Sequence, residues 1–344
     1  MADPSEPSGA GDARELTPSR RAAVASRWRW VGTSLSVLLF VASIVVLYQI
    51  VSTVKFADVR AAFDRKPLET LALAWLLTMT SYMLLTGYDA LALRQVKAKI
   101  PYRTTALASF TSYAISFTLG FPLLTAGAVR YWIYSPRGLP AGKVAALTVI
   151  AGSTFLLGMG AVVGAGLLFR ADAISQLNRL APTLNQVIGA GVLGLIGAYL
   201  VYAALGRRHL KVLGRRLELP SFPVSVGQIL LGIGDVTCAA GVLYVLLPEG
   251  YGVAFPTFAA VYAFACLLGI ISHAPGGLGV FEATILLAFW RLPYEGMIGA
   301  LLLFRICYYI LPFCIALAVL AGVEIRTRLR AFQSRVAREE DSED

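Results

Sequence analysis

The run VSVGQILLGIGDVTCAAGVLYVLL, residues 224–247, contains a single charged residue, Asp235. As a helix it would rise about 36 Å at 1.5 Å per residue, enough to cross roughly 30 Å of hydrocarbon. Its apolar residues do not alternate, so it does not read as a strand. Further apolar runs lie on either side of it, at about 31–51, 68–90, 104–120, 124–134, 143–169, 184–205, 254–273, 276–290 and 297–322. A soluble domain buries one such segment at most. In a bilayer every backbone amide must be bonded within its own segment or in a closed barrel, and the lack of period-two alternation selects helices. The expected fold is therefore all-α, a polytopic helical bundle integral to the membrane.

Composition agrees. The chain is 57% hydrophobic with a mean hydropathy of +0.70, and only 15% of it is charged, against about a quarter in ordinary soluble domains. The net charge of +10 comes from short Lys/Arg clusters beside apolar runs, which read as topology signals and anionic-lipid contacts rather than a nucleic-acid face. Cys238, Cys266, Cys307 and Cys314 all fall inside apolar runs and form no CxxC pair, so they read as small buried residues. Neither a metal nor a cofactor is expected.

Residues 1–26 and 331–344 are polar and are expected to be disordered, giving a cytoplasmic tail at 1–26, a transmembrane domain at 27–325 and a charged tail at 326–344. The run after Arg27 and Arg29 lacks a small-residue cleavage site and is expected to stay as a first span. Basic clusters before that span and after the last one place both termini in the cytoplasm, which needs an even number of crossings. Lys55, Arg60, Arg65 and Lys66 fit this scheme poorly.

Two of the ten runs, 124–134 and 276–290, are short, and each follows a break: Gly120-Phe121-Pro122 in one case and Pro275-Gly276-Gly277-Leu278-Gly279 in the other. They read as half-helices beside about eight full spans. Their register and opposite sense suggest an inverted repeat, a plan that brings interrupted helices together near the midplane in secondary transporters. Two unrelated kinks would give the same sequence. Glycines at 152, 158, 160, 164, 189, 191, 194 and 197 read as close helix packing.

An ionised side chain at mid-membrane costs roughly 3 kcal/mol or more, so those present face a partner or a cavity. They are Asp89, Arg130, Asp235, His273, Glu282 and Arg305. With Gly276, Gly277 and Gly279 they form the candidate substrate-binding set. The glycines bare backbone amides to a lipid phosphate, Arg130 or Arg305 adds bidentate contacts, and Asp235 or Glu282 meets a cationic headgroup or carries a proton. Structural ion pairs would account for the same residues. Tyr88-Asp89 and Gly232-Ile233-Gly234-Asp235 also spell the signatures of intramembrane aspartyl proteases, where two carboxylates share a proton. Four intervening segments and the lack of a Pro-Ala-Leu motif count against that reading.

Four stretches, in order, resemble the flippase region of the lysylphosphatidylglycerol synthase/flippase family. They are Gly87-Tyr88-Asp89-Ala90-Leu91-Ala92-Leu93-Arg94, the pieces Ser112-Tyr113-Ala114 and Thr125-Ala126-Gly127-Ala128-Val129-Arg130-Tyr131, Leu243-Tyr244-Val245-Leu246-Leu247-Pro248, and Ser272-His273-Ala274-Pro275-Gly276-Gly277-Leu278-Gly279-Val280-Phe281-Glu282. The likeness covers about residues 30–325. It implies a bacterial inner-membrane protein that moves an anionic or aminoacylated phospholipid between leaflets. Full-length relatives carry an aminoacyl-transferase domain after this region, which the charged tail does not resemble, so no enzymatic activity is expected. Gly234 and Val236 flank the mid-membrane aspartate where the family often has an aromatic. The alternative function is a non-transporting membrane partner of a lipid-modifying or glycosyl-transferring enzyme, and a homodimer is compatible with the glycine-rich faces.

Overall fold

A computed structural model of the chain describes residues 60, 62–64, 66–205, 209–212, 215–218, 220–248, 252–272 and 274–343. The expected first span, the 1–26 tail and His273 lie outside these residues.

The fold is all-α and polytopic. Its helices are α1 (Leu68–Gln95), α2 (Tyr102–Leu119), α3 (Pro122–Tyr134), α4 (Ala141–Phe169), α5 (Ala171–Asn178), α6 (Pro182–Ala204), α7 (Phe222–Leu246), α8 (Phe255–Ile271), α9 (Val280–Ala288), α10 (Tyr294–Phe304) and α11 (Leu311–Glu343). Among the described residues five helical stretches are long and apolar enough to cross a membrane: α1, α4, α6, α7 and the continuous Tyr294–Arg326. Nine of the ten runs read from the sequence fall on described residues but for His273; eight correspond to one helix each within a few residues, and the last, 297–322, takes in α10, the turn that follows it and the start of α11.

Three features were not foreseen. The short helix α5 links α4 to α6, and a two-stranded antiparallel hairpin, β1 (His209–Val212) with β2 (Arg215–Glu218), joins α6 to α7. The last span also contains a π-helical turn over Arg305–Ile310. Pro312 accounts for the local strain. It has no N–H to give the Tyr308 carbonyl one turn earlier, and the Tyr82 hydroxyl donates to that carbonyl instead, at 3.2 Å. Beyond the membrane α11 runs without a break to Glu343, so residues 331–343 are helical rather than disordered. Ala, Arg, Gln and Glu are good helix formers, and extending an existing helix needs no new nucleus.

The glycine reading holds in part. A Cβ on Gly158 would lie 2.3 Å from the carbonyl carbon of Gly232, and one on Gly189 would lie 2.7 Å from the Gly164 oxygen. Bare backbones therefore set the approach of α4 to α7 and of α6 to α4. Among the described residues Gly152, Gly191, Gly194 and Gly197 have nothing within 4 Å of such a Cβ, so contacts between the described helices do not require glycine there. The centre is formed by α1 against α7, with α4 and α8 beside them. A chain of aromatic contacts runs through it, including Tyr82–Tyr308, Phe304–Tyr308 and Tyr262–Phe304.

Candidate functional site

Both interrupted elements rest on unusual backbone. At the first break Gly120 and Phe121 have positive φ, and Pro122 starts α3. The Thr125 hydroxyl donates to the freed Gly120 carbonyl at 2.9 Å. At the second break Gly276, Gly277 and Gly279 all have positive φ, a conformation that costs little only for glycine. The two breaks meet: a Cβ on Gly276 would lie 3.2 Å from the carbonyl oxygens of both Phe117 and Thr118 at the end of α2.

The sequence-derived residues separate into three groups. Asp89 and Arg130 form a sealed pair, with side chains 0% and 1% exposed. Arg130 donates from Nη2 to Oδ1 at 2.7 Å and from Nε to Oδ2 at 3.0 Å. The Tyr134 hydroxyl donates to Oδ2 at 3.2 Å, and the guanidinium lies 4.8 Å from the Tyr113 ring centroid. Arg130 is therefore spent on Asp89, tying α3 to α1, and its guanidinium is not turned to the cavity described below.

Glu282 and Arg305 secure the second break. Glu282 accepts the Gly279 amide at 2.8 Å and Arg305 Nε at 2.6 Å, while Arg305 Nη1 donates to the Gly276 carbonyl at 2.7 Å. The Gly277 amide donates to the Ala274 carbonyl at 2.9 Å. The amides of Gly277 and Gly279 are thus engaged within the break rather than bare, because Glu282 caps its own helix. Arg305 also stacks over Tyr309, 4.7 Å from its centroid.

Asp235 stands apart from both. It accepts the Ser81 hydroxyl at 2.5 Å and the Tyr88 hydroxyl at 3.0 Å, and the Tyr308 hydroxyl lies 2.8 Å from Ser81 Oγ. Among the described residues no cationic side chain pairs with it. Asp89 and Asp235 each have their own partners and share no hydrogen bond, which is not the arrangement of a proton-sharing dyad.

Asp235 lies in the wall of a cavity of about 560 Å³ lined by α2, α3, α4, α7, α8, the second break and the π-turn. That volume is within the range of about 300–1,000 Å³ typical of small-molecule sites. The wall is mostly apolar and aromatic, and among the described residues Asp235 is the one charged side chain in it. The Tyr113 hydroxyl, on the same wall, is buried with no hydrogen-bond partner among the described residues. A smaller cavity of about 290 Å³ lies across the second break and shares Gly276 and Tyr309 with the first.

Sequence reasoning missed Ser81, Tyr88, Tyr113 and Tyr308. The first two were findable, since a spacing of seven sets them on one face of α1, and Tyr88 immediately precedes Asp89. Tyr113 lies in one of the stretches that carry the resemblance but was not singled out as a site residue, and Tyr308 was not singled out at all.

The family described as Lysylphosphatidylglycerol synthase TM region matches residues 30–316. An uncharacterized Synechocystis protein, slr0712, is 34% identical over 83% of this chain and 89% of its own length. The Escherichia coli inner membrane protein YbhN is 30% identical over 85% of this chain and 92% of its own length. The phosphatidylglycerol lysyltransferase of Staphylococcus aureus is 25% identical over 86% of this chain, but the match covers only 34% of that longer protein.

Proposed function

The chain belongs to the family of the lysylphosphatidylglycerol synthase TM region, and from that premise we propose that it moves a phospholipid, anionic or aminoacylated, between the leaflets of a bacterial inner membrane. Both termini are cytoplasmic in this reading. The observation that carries it is the cavity between the two helix breaks, whose mostly apolar wall holds one carboxylate, Asp235, with no cationic partner among the described residues. A headgroup bound there exchanges its water for Asp235, the Tyr113 hydroxyl and the hydroxyls around Ser81, while apolar walls accept the rest of the lipid. A phospholipid as the cargo draws further support from the relative called phosphatidylglycerol lysyltransferase, of which this chain matches about a third.

Both arginines are engaged with acids, so the cavity's own charge is negative. Asp235 is suited to the cationic part of a headgroup, and Arg305 with Glu282 to holding the second break. The test is leaflet redistribution of fluorescent anionic and aminoacylated phospholipids in liposomes holding the purified protein, with Asp235→Asn alongside. Redistribution by the native chain that Asp235→Asn abolishes is the expected result. A folded native protein that moves none of these lipids would overturn the reading.

A further inference from the structure

We infer that the opening between α3, α4 and α8 seats one acyl chain of the transported phospholipid, with Gly152 setting the width of that seat. The inference deepens the transport reading above and takes the cargo's lipid nature from it.

Several residues line the cavity and are also exposed on the outside of the bundle: Leu123 at 62%, Leu124 at 73%, Val149 at 55% and Leu156 at 53%. A side chain that is both cavity wall and outer surface marks a place where the wall is open. These four are apolar and lie on helices of a membrane-embedded bundle, so the opening faces hydrocarbon.

Depth argues the same way. Gly152 lies eleven residues into α4 from Ala141, about 17 Å along its axis, close to the middle of a hydrocarbon layer roughly 30 Å thick. Headgroups and ordered water are not found at that depth, but acyl chains are. Asp235 and Tyr113, 1% and 6% exposed, line the buried part of the same cavity, while among the described residues its outward-exposed lining carries no charge. A chain at the rim with a headgroup inside satisfies both chemistries.

Gly152 is the position that controls the width. It lines the cavity, yet among the described residues a Cβ there would meet nothing within 4 Å, unlike Gly158 and Gly164 on the same helix. Packing does not require glycine at 152, and the space its missing side chain leaves belongs to the fissure. Leucine at 152 fits the helix and projects into that space.

The experiment uses the full chain in liposomes containing an aminoacylated phosphatidylglycerol with a photoreactive diazirine halfway along one acyl chain, and maps the adducts. Val236 and Ala239 line the cavity from α7 but are 1% and 4% exposed, so bilayer lipid cannot reach them from outside. The expected result is adducts at Val236 and Ala239 in the native chain, retained in Gly152→Ala and lost in Gly152→Leu. Gly194→Leu, at an open position outside the cavity, should keep them. Adducts confined to outward residues such as Leu195 overturn the inference, as do adducts at Val236 and Ala239 that persist in Gly152→Leu. It also falls if Ser153→Cys, at the rim, crosslinks to a second copy of the chain while the cavity stays unlabelled. Redistribution is read in parallel. Native-rate transport by Gly152→Leu overturns the acyl seat and leaves the transport reading standing. Cavity adducts without redistribution leave the seat standing and remove the transport reading.

Discussion

The Asp89–Arg130 pair tests whether a buried charge in this bundle is a strut or part of the transport site. Removing the carboxylate in Asp89→Leu deletes two charge-assisted contacts, at 2.7 and 3.0 Å, and the Tyr134 hydroxyl's acceptor at 3.2 Å. It leaves a guanidinium only 1% exposed, with the Tyr113 ring as its remaining partner. Orphaning one member of a buried pair typically costs about 3–5 kcal/mol, whereas replacing both with apolar residues of similar volume is often neutral or favourable. Asp89→Leu combined with Arg130→Met should therefore recover most of the loss. At about 3 kcal/mol, the single variant would shift the folded-to-unfolded ratio by roughly a hundredfold. Unfolding in mixed micelles, titrated with denaturing detergent, measures both variants against the native chain. Because the pair is sealed from the cavity, the double variant should also redistribute lipid at close to the native rate. A double variant no more stable than Asp89→Leu, or a stable one that has lost transport, would refute the strut.

Arg305→Lys keeps the charge but loses the planar fork that reaches both Glu282 and the Gly276 carbonyl. Faster amide hydrogen exchange at Gly277 and Gly279 is expected, and unchanged protection would mean that the arginine does not hold the break. Tyr82→Phe leaves the Tyr308 carbonyl without its donor and should cost about 1–3 kcal/mol. In a Pro312→Ala background, where residue 312 regains an N–H, the same change should cost much less, and equal costs in the two backgrounds would refute the proline account of the π-turn.

The helices were legible because membrane insertion leaves few alternatives. A run such as 224–247 must satisfy its own amides, so length and composition alone predict a helix. The two breaks were legible from Gly-Phe-Pro and Pro-Gly-Gly, whose backbone preferences hold in any solvent. Partners were not legible. Asp89, Arg130, Glu282 and Arg305 were singled out by cost, but which acid meets which base depends on how α1, α3, α9 and the π-turn are arranged in three dimensions. The sequence gives no distance between residues 41 positions apart. Arg130 was therefore expected near a phosphate and is found on Asp89. The open glycines on α4 and α6 failed for a related reason, since small residues permit close packing without compelling it. Hairpin β1–β2 and helix α5 lie outside the long apolar runs that carried the reading.

The π-turn at Arg305–Ile310 fixes the angular phase between the two halves of the last span. Upstream, Met297, Ala300, Leu301 and Phe304 are buried, and downstream Phe313, Ala316 and Leu320 are buried where α11 meets α2. Each residue of a regular helix turns the next by about 100°. Deleting one residue between 305 and 310 would keep every apolar side chain and yet swing the downstream stripe roughly a quarter-turn away from its neighbour. That segment can tolerate many exchanges of one side chain for another, while its length is held constant.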